Sequence, residues 1–266
     1  MTVVDYFVHD LLLTRRTKVG RTVFAAVGLA PLAGVGISFV LSNDALTARF
    51  VLLSTWLVVS GVVPIVAVLG SAAAISGNRE SGRLRLMLGS PTTQSDVLFG
   101  TFAARLLLVQ FGLLVGLTVA VALMVILSLP MALGRLGGFL LFTPLMAAVY
   151  VSLGIAASTT VRTQLRSLSL AIAGFVATLV WPQVATVLAS VFESLSGITL
   201  SATLVHFIGT LSPFGAYAQA IGDGGAIYGM DASTPLLQSG VMGLVLLLWV
   251  GMPLGLAYQQ FVTADV

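Results

Sequence analysis

The side chains that could carry chemistry are few in this chain of 266 residues, and almost all lie between long apolar segments. The chain has nine Asp and Glu residues, two His residues and no Cys residue. Within the clearly apolar segments, the main polar side chains are Gln110, Tyr150 and Gln183. General acid–base catalysis, a metal site or a proton relay would need carboxylate or imidazole groups at membrane depth. We therefore expect no catalytic residue, no metal site and no cofactor bound by this chain.

The composition excludes most classes of soluble protein. Hydrophobic residues make up 58% of the chain and charged residues only 8%, whereas a soluble domain carries about 25% charged residues. So few charges cannot cover a soluble globule, which excludes a soluble enzyme, a nucleic-acid-binding protein and a disordered regulator. The sequence also lacks the long alternating pattern of an outer-membrane barrel. It therefore predicts an all-α polytopic membrane protein whose partner is the lipid bilayer.

Six apolar segments are long enough to cross the hydrocarbon core, which takes about 20 residues. They lie at 22–42, 52–76, 106–128, 138–160, 168–191 and 236–261. A further uncharged stretch, 194–222, is rich in Ser and Thr and is interrupted by glycines and by Pro213. We expect residues 193–235 to form short helices or a re-entrant segment on the outer side. A plain surface loop and a seventh span are the alternatives.

The basic residues predict the orientation of the six spans. An even number of spans places both termini on one side, and ten of the 12 Lys and Arg residues lie on that side. Such residues are enriched in cytoplasmic loops, so we expect both termini in the cytoplasm and the chain in the cell membrane. Residues 1–21 place Val4, Phe7 and Leu11 at helical spacing beside Asp5 and His9. This pattern predicts an interfacial helix on the cytoplasmic leaflet.

The loop between the second and third spans has an unusual pattern. Glu80 and Gly82 are followed by the amphipathic stretch RLRLML at 83–88, and GSP at 89–91 ends that stretch. So short a helix is marginal alone in water; it would be ordered by docking onto a protein or by resting on lipid headgroups. Thr92, Thr93 and Ser95 could cap the next helix, with Asp96 in its first turn.

Pairs of glycines at helical spacing occur in two spans. Gly112 and Gly116 form GxxxG in the third span, and Gly251 and Gly255 do so in the sixth. Such pairs let helices approach closely. We expect both to serve packing within one subunit, with a dimer seam as the alternative.

The loop after the second span resembles the signature of ABC-2 type permeases, the membrane subunits of ATP-binding cassette transporters. In that family a Glu, a Gly, a Leu-rich stretch and a Pro follow the second span. The residues that match are Glu80, Gly82, Arg83, Leu84, Arg85, Leu86, Leu88 and Pro91. Leu211-Ser212-Pro213-Phe214 is similar to the family's element near outer re-entrant helices.

The resemblance extends over nearly the whole chain, with one departure. The N-terminal interfacial helix, the six spans, the cytoplasmic termini and Gly100 all match the family pattern. Thr101 stands where the family commonly has Lys. The overall pattern is also similar to that of permeases associated with nitrous-oxide reductase maturation.

The resemblance implies the fold and the division of labour of a type V exporter. It implies one transmembrane domain over 1–266, without a nucleotide-binding domain, that works with an ABC ATPase subunit and a second permease copy as a homodimer or heterodimer. It further implies that residues 78–96 are the coupling segment and that Ser212, Pro213 and Phe214 belong to the re-entrant element. Export is the usual direction in the family.

The expected ATPase must be a separate chain. A Walker A loop needs GxxxxGK[ST], and the single lysine, Lys18, has no glycine loop before it. ATP and Mg²⁺ are therefore expected on a partner and not on this chain, which would not be an enzyme itself. An ATP-independent channel or secondary transporter, and a membrane maturation factor or scaffold, are the alternative functions.

Overall fold

The computed structural model describes residues 3–41, 47–82, 93–129, 131, 133–221 and 234–263. All regular structure in these residues is helical, which confirms the predicted all-α class. The helices are α1 (Val3–Arg16), α2 (Lys18–Leu41), α3 (Ala48–Ala72), α4 (Ser76–Glu80), α5 (Gln94–Ile126), α6 (Leu133–Thr160), α7 (Gln164–Ser196), α8 (Ala202–Thr210), α9 (Pro213–Ala220) and α10 (Ser239–Thr263), with a short 3-10 helix at Pro235–Leu237.

Six of these helical segments are long and apolar enough to cross a membrane. They are α2, α3 continued by α4, α5, α6, α7 and α10. Each contains most of one predicted span, so the six-span polytopic membrane protein is confirmed. The 3-10 helix occupies the predicted start of the sixth span, which begins as an α-helix at Ser239.

The fifth span is longer than predicted. Helix α7 ends at Ser196 rather than at residue 191, and Gly197 follows it with φ 68°. Glycine adopts this left-handed conformation without steric cost, and it commonly ends helices. The first residues of the predicted outer segment 193–235 therefore continue the fifth span.

The predicted interfacial segment 1–21 consists of parts of two helices. Thr17 separates them, because its Oγ1 accepts a hydrogen bond of 3.0 Å from the Gly20 N–H and donates one of 2.7 Å to the Thr14 carbonyl. One side chain thus caps the start of α2 and satisfies the end of α1. Residues 18–21 belong to the first span, and the separate helix is Val3–Arg16.

Glycines set the distance between neighbouring spans. A Cβ atom at Gly116 of α5 would lie 2.2 Å from the Gly28 carbonyl oxygen of α2, and one at Gly112 would lie 3.0 Å from the Phe24 carbonyl oxygen. This first pair packs within the chain, as predicted. At Gly251 and Gly255 a Cβ atom would meet nothing within 4 Å in the described part of the chain, so the prediction is wrong for that pair.

The core of the bundle lies along the second and fourth spans. In the most apolar 18-residue stretch of each of these two spans, 56% and 67% is buried. In the corresponding stretches of α7 and α10, 17% and 22% is buried. Helices α3 and α6 therefore form the centre of this single chain, and α7 and α10 present most of their surface outward.

Candidate functional site at the end of the second span

The second span is interrupted just before the loop that was predicted to couple to a partner. Helix α3 ends at Ala72 and α4 begins at Ser76. The backbone N–H groups of Ile75 and Ser76 both donate to Ser158 Oγ at 2.9 Å, and all three residues are buried. Ser167 Oγ donates to the Ala72 carbonyl. Serines from α6 and α7 thus satisfy backbone groups freed by the interruption, which fixes the direction of α4.

Arg79, near the end of α4, contacts two other spans. Its Nη1 donates to the Thr159 and Val161 carbonyls at 3.2 and 3.4 Å, at the carboxyl end of α6. Its guanidinium carbon lies 5.7 Å from the centre of the Phe261 ring of α10. The negative end of a helix dipole and the face of an aromatic ring both attract a cation. Arg79 therefore ties the second span to the ends of the fourth and sixth.

Glu80, the next residue, contacts the fifth span. Its Oε2 accepts a hydrogen bond of 2.8 Å from the backbone N–H of Gln164, the first residue of α7. A carboxylate is favourable at the amino end of a helix, where N–H groups lack partners. Arg79 and Glu80 thus place opposite charges on the two helix ends that flank the 161–163 loop.

The predicted coupling segment 78–96 is described only at its two ends. Gly82 has φ 73°, a left-handed conformation that disfavours other residues, so the chain turns sharply after α4. The other predicted coupling residues lie outside the described residues, and the docking helix stays a prediction: Arg83, Leu84, Arg85, Leu86, Leu88 and Pro91.

The far end of the segment begins the third span with the predicted cap. Thr93 Oγ1 accepts a hydrogen bond of 3.2 Å from the Asp96 N–H, and Asp96 Oδ2 accepts one of 2.9 Å from the Thr93 N–H. This reciprocal pair is a capping box. Thr93, among the three candidates, is therefore the N-cap, and Gln94 to Asp96 belong to helix α5.

Helix α1 packs its polar face, and not its apolar face, against the bundle. Tyr6, Asp10 and Thr14 are buried, while Val4 and Leu12 are exposed. An apolar outer face fits a helix that lies at the membrane surface. Sequence reasoning missed this arrangement, although the spacing of four residues between the buried side chains was visible.

Asp10 makes the ion pair that holds this face. Its Oδ2 lies 3.6 Å from Nη2 of Arg105, within helix α5. Burial raises the pKa of Asp10 above its usual value, and the positive charges of Arg105 and His9 oppose this effect in part. Burial also raises the pKa of Tyr6. Arg105 therefore anchors α1 and is not an isolated charge at the mouth of a span.

Gly100 and Thr101 allow α1 to approach. A Cβ atom at Gly100 would lie 2.7 Å from Tyr6 Cδ1, so this glycine makes room for the Tyr6 ring. Thr101, which stands where the resembled family commonly has Lys, is buried beneath the same helix. Asp10 and Arg105 share a cavity of about 630 Å³ with residues beside the second-span break, among them Asn78, Ser81 and Gln164. The α1 contact and the end of the second span thus form one continuous face.

The segment between the fifth and sixth spans forms two short helices. Ser212 separates them: its Oγ accepts a hydrogen bond of 3.1 Å from the Gly215 N–H, and Pro213 is the first residue of α9. Proline fits this position, because its missing N–H would have no partner there. The Phe214 ring lies 6.0 Å from the Trp56 ring of α3. The three predicted residues of this element, Ser212, Pro213 and Phe214, therefore lie at the turn between the helices.

Side chains from the spans hold the turn in place. Trp181 Nε1 donates to the Ile208 carbonyl at 2.8 Å, and Trp249 Nε1 donates to the Leu211 carbonyl at 2.7 Å. Tyr217 and Thr143 share a buried hydrogen bond of 2.8 Å between α9 and α6. Two indole groups thus satisfy carbonyls at the end of α8, and α9 is packed among the spans. The predicted dip into the membrane stays a proposal.

Comparison with known proteins agrees with the resemblance. The family model described as ABC-2 family transporter protein matches residues 10–266. The chain is also 28% identical over 250 residues to a protein of Stutzerimonas stutzeri named "Probable ABC transporter permease protein NosY". That match covers 89% of this chain and 87% of that protein. Both matches extend over the interrupted second span and the pair of short helices.

Proposed function

Since this chain belongs to the ABC-2 transporter family, as a multi-pass permease subunit, we propose that it couples to a separate ATPase through residues 78–96. Permeases of this family are typically non-catalytic transport subunits that work with an ATPase partner. ATP and Mg²⁺ would be bound by that partner, and this chain would form the translocation path of an exporter.

The contacts of Arg79 and Glu80 support this coupling. The two residues join the end of the second span to the ends of α6 and α10 and to the start of α7. The proposed docking residues, Arg83 to Pro91, follow directly in the chain. A displacement of this loop by an ATPase would therefore act on four of the six spans at once. An ATP-driven permease needs a mechanical connection of this kind, through which ATP hydrolysis moves its helices.

The charge distribution supports the proposed orientation. The side that would hold the coupling segment carries ten of the 12 Lys and Arg residues. With that side in the cytoplasm, helices α8 and α9 lie at the opposite, outer face and form the proposed re-entrant element. A reporter that is active only outside the cell, fused after residue 266, should stay inactive. Activity of that reporter would contradict cytoplasmic termini.

A second permease copy is part of the proposal. The outward surfaces of α7 and α10 offer two long apolar faces that the described residues of this chain leave largely uncovered. Some of that surface faces lipid in any membrane protein. Crosslinking of the purified complex should give a product that contains two permease chains.

Purification from native membranes tests the ATPase partnership. The full chain should copurify with a second protein that is labelled by an azido derivative of ATP, and the sample should hydrolyse ATP with sensitivity to vanadate. The variants Leu86→Asp and Gly82→Trp should lose most of that activity. Leu133→Asp introduces a charge at an exposed leucine at the amino end of α6, and this variant should keep the ATPase activity.

Two outcomes would favour the other functions. If the chain copurifies with no ATP-labelled protein, an ATP-independent channel or a membrane scaffold fits better. If the ATPase is present but all three variants behave like the unaltered chain, the segment is a lipid-facing connector and the coupling proposal fails.

A further inference from the structure

A groove of about 440 Å³ opens where helices α1, α2 and α5 meet. Its walls are mostly apolar, and the rings of two lining residues, Phe24 and Phe111, lie 5.8 Å apart. The remaining apolar residues that line it are Leu11, Leu12, Leu107 and Leu108. Phe111 is 56% exposed and Leu107 is 45% exposed. The groove thus offers hydrocarbon surface on the outside of the bundle, where a lipid acyl chain can lie against it.

Two guanidinium groups stand beside this apolar surface. Arg15 and Arg21 both line the groove, and both are exposed. Neither has a carboxylate within 4 Å in the part of the chain that the structure describes. Asp10 of α1 pairs with Arg105 instead. The groove is therefore lined by apolar residues and by two positively charged ones, and none of the described carboxylates pairs with those two charges.

We propose that this groove binds one anionic glycerophospholipid, with an acyl chain along Leu107 and Phe111 and the phosphate between Arg15 and Arg21. The planar guanidinium fork matches the geometry of phosphate oxygens, and two uncompensated cations favour a headgroup of net negative charge. The site spans the junction of α1 with α2, so a bound lipid would hold the interfacial helix to the first span. This inference is independent of ATPase coupling.

Native mass spectrometry of the detergent-purified full chain tests the proposal. The chain is mixed with equal amounts of phosphatidylglycerol and phosphatidylcholine that carry the same acyl chains. We expect phosphatidylglycerol to bind preferentially. Each of Arg15→Gln and Arg21→Gln should weaken that binding about fivefold, since one basic residue near anionic lipid contributes about 1 kcal/mol. The double variant should lose most of the preference.

A matched double variant distinguishes a specific lipid site from a general effect of positive charge at this junction. Arg16→Gln with Lys18→Gln removes the same charge from the same junction, but neither residue lines the groove. It should keep the preference for phosphatidylglycerol. Leu107→Trp should fill the groove and weaken the binding of both lipids. The proposal is overturned if the unaltered chain shows no preference, or if both double variants lose it equally.

Discussion

The carboxylate of Glu80 accepts a hydrogen bond of 2.8 Å from the backbone N–H of Gln164, and this bond joins the last residue of α4 to the first residue of the fifth span. The preceding residue, Arg79, donates to carbonyls at the end of the fourth span. Adjacent side chains of opposite charge thus hold the two helix ends on either side of one loop. The end of the second span is thereby linked to the end of the fourth span and the start of the fifth.

Replacing Glu80 should loosen the start of α7. Glu80→Ala leaves the Gln164 N–H without its partner and should lower the free energy of unfolding by about 0.5–1 kcal/mol, the lower part of the range for helix caps. Glu80→Gln keeps an oxygen acceptor and should cost less. The thermal midpoints of the detergent-purified variants should follow the order unaltered, Gln, Ala. Equal midpoints for all three would show that the bond carries no stability.

The burial of Asp10 predicts a dependence of stability on pH. Because burial raises the pKa of Asp10, the folded state binds a proton over a range of pH in which the unfolded state has lost it. The stability from this group is therefore present at low pH and decreases as pH rises from the usual aspartate value through the raised one. In Asp10→Asn this decrease should be absent from thermal midpoints measured between about pH 4 and pH 7.

The groups that surround Asp10 determine which control variant the pH-dependent thermal measurement needs. The charged or titratable groups around it are Arg105 on α5 and Tyr6 and His9 on α1. His9→Gln removes the neighbouring imidazole but leaves Asp10 in place, so it serves as the control and should retain the Asp10 contribution. An Asp10→Asn profile parallel to that of the unaltered chain would contradict the assignment.

The interruption of the second span should depend on one hydroxyl group. Ser158→Ala leaves the N–H groups of Ile75 and Ser76 buried without an acceptor, and each such group costs about 1–3 kcal/mol. For the two groups together we expect a loss of about 2–6 kcal/mol. Ser169→Ala is the matched control, because Ser169 is exposed and donates to the Leu165 carbonyl of its own helix. Unfolding midpoints that do not differ between the two variants would show that Ser158 is dispensable.

The two GxxxG pairs should respond differently to alanine. Gly116→Ala places a methyl group against the Gly28 backbone and should destabilise the bundle by about 1–3 kcal/mol. Gly255→Ala meets open space and should be nearly neutral in the isolated chain. Thermal unfolding in detergent compares them directly. A neutral Gly116→Ala would mean that α2 and α5 are not in close contact.

Features that depend on neighbouring residues could be predicted from the sequence. The six spans follow from the length and apolarity of each segment, and the Thr93–Asp96 cap follows from spacing within one turn. The predicted end of the fifth span is too early, because the charge of Glu193 suggests a boundary there. That carboxylate instead accepts a hydrogen bond of 2.7 Å from the Leu200 N–H, beyond the end of the helix.

Contacts between distant residues could not be predicted in this way. No local pattern pairs Asp10 with Arg105 or places Ser158 beside Ile75, because these pairs are brought together only when the spans pack. For the same reason the sequence could not tell which GxxxG pair lies between helices. The role of Glu80 was predicted from a resemblance, while its partner, the Gln164 N–H, emerged only from the fold.

Site-specific crosslinking tests the coupling of residues 78–96 to an ATPase most directly. The chain has no Cys residue, so Leu86→Cys and Leu133→Cys each introduce a single thiol that can carry a photoreactive maleimide. The two positions are expected at opposite ends of the bundle. We predict that illumination of the native complex joins the chain to the ATP-labelled partner through residue 86 and not through residue 133. The absence of that adduct, or equal adducts from both positions, would contradict the account.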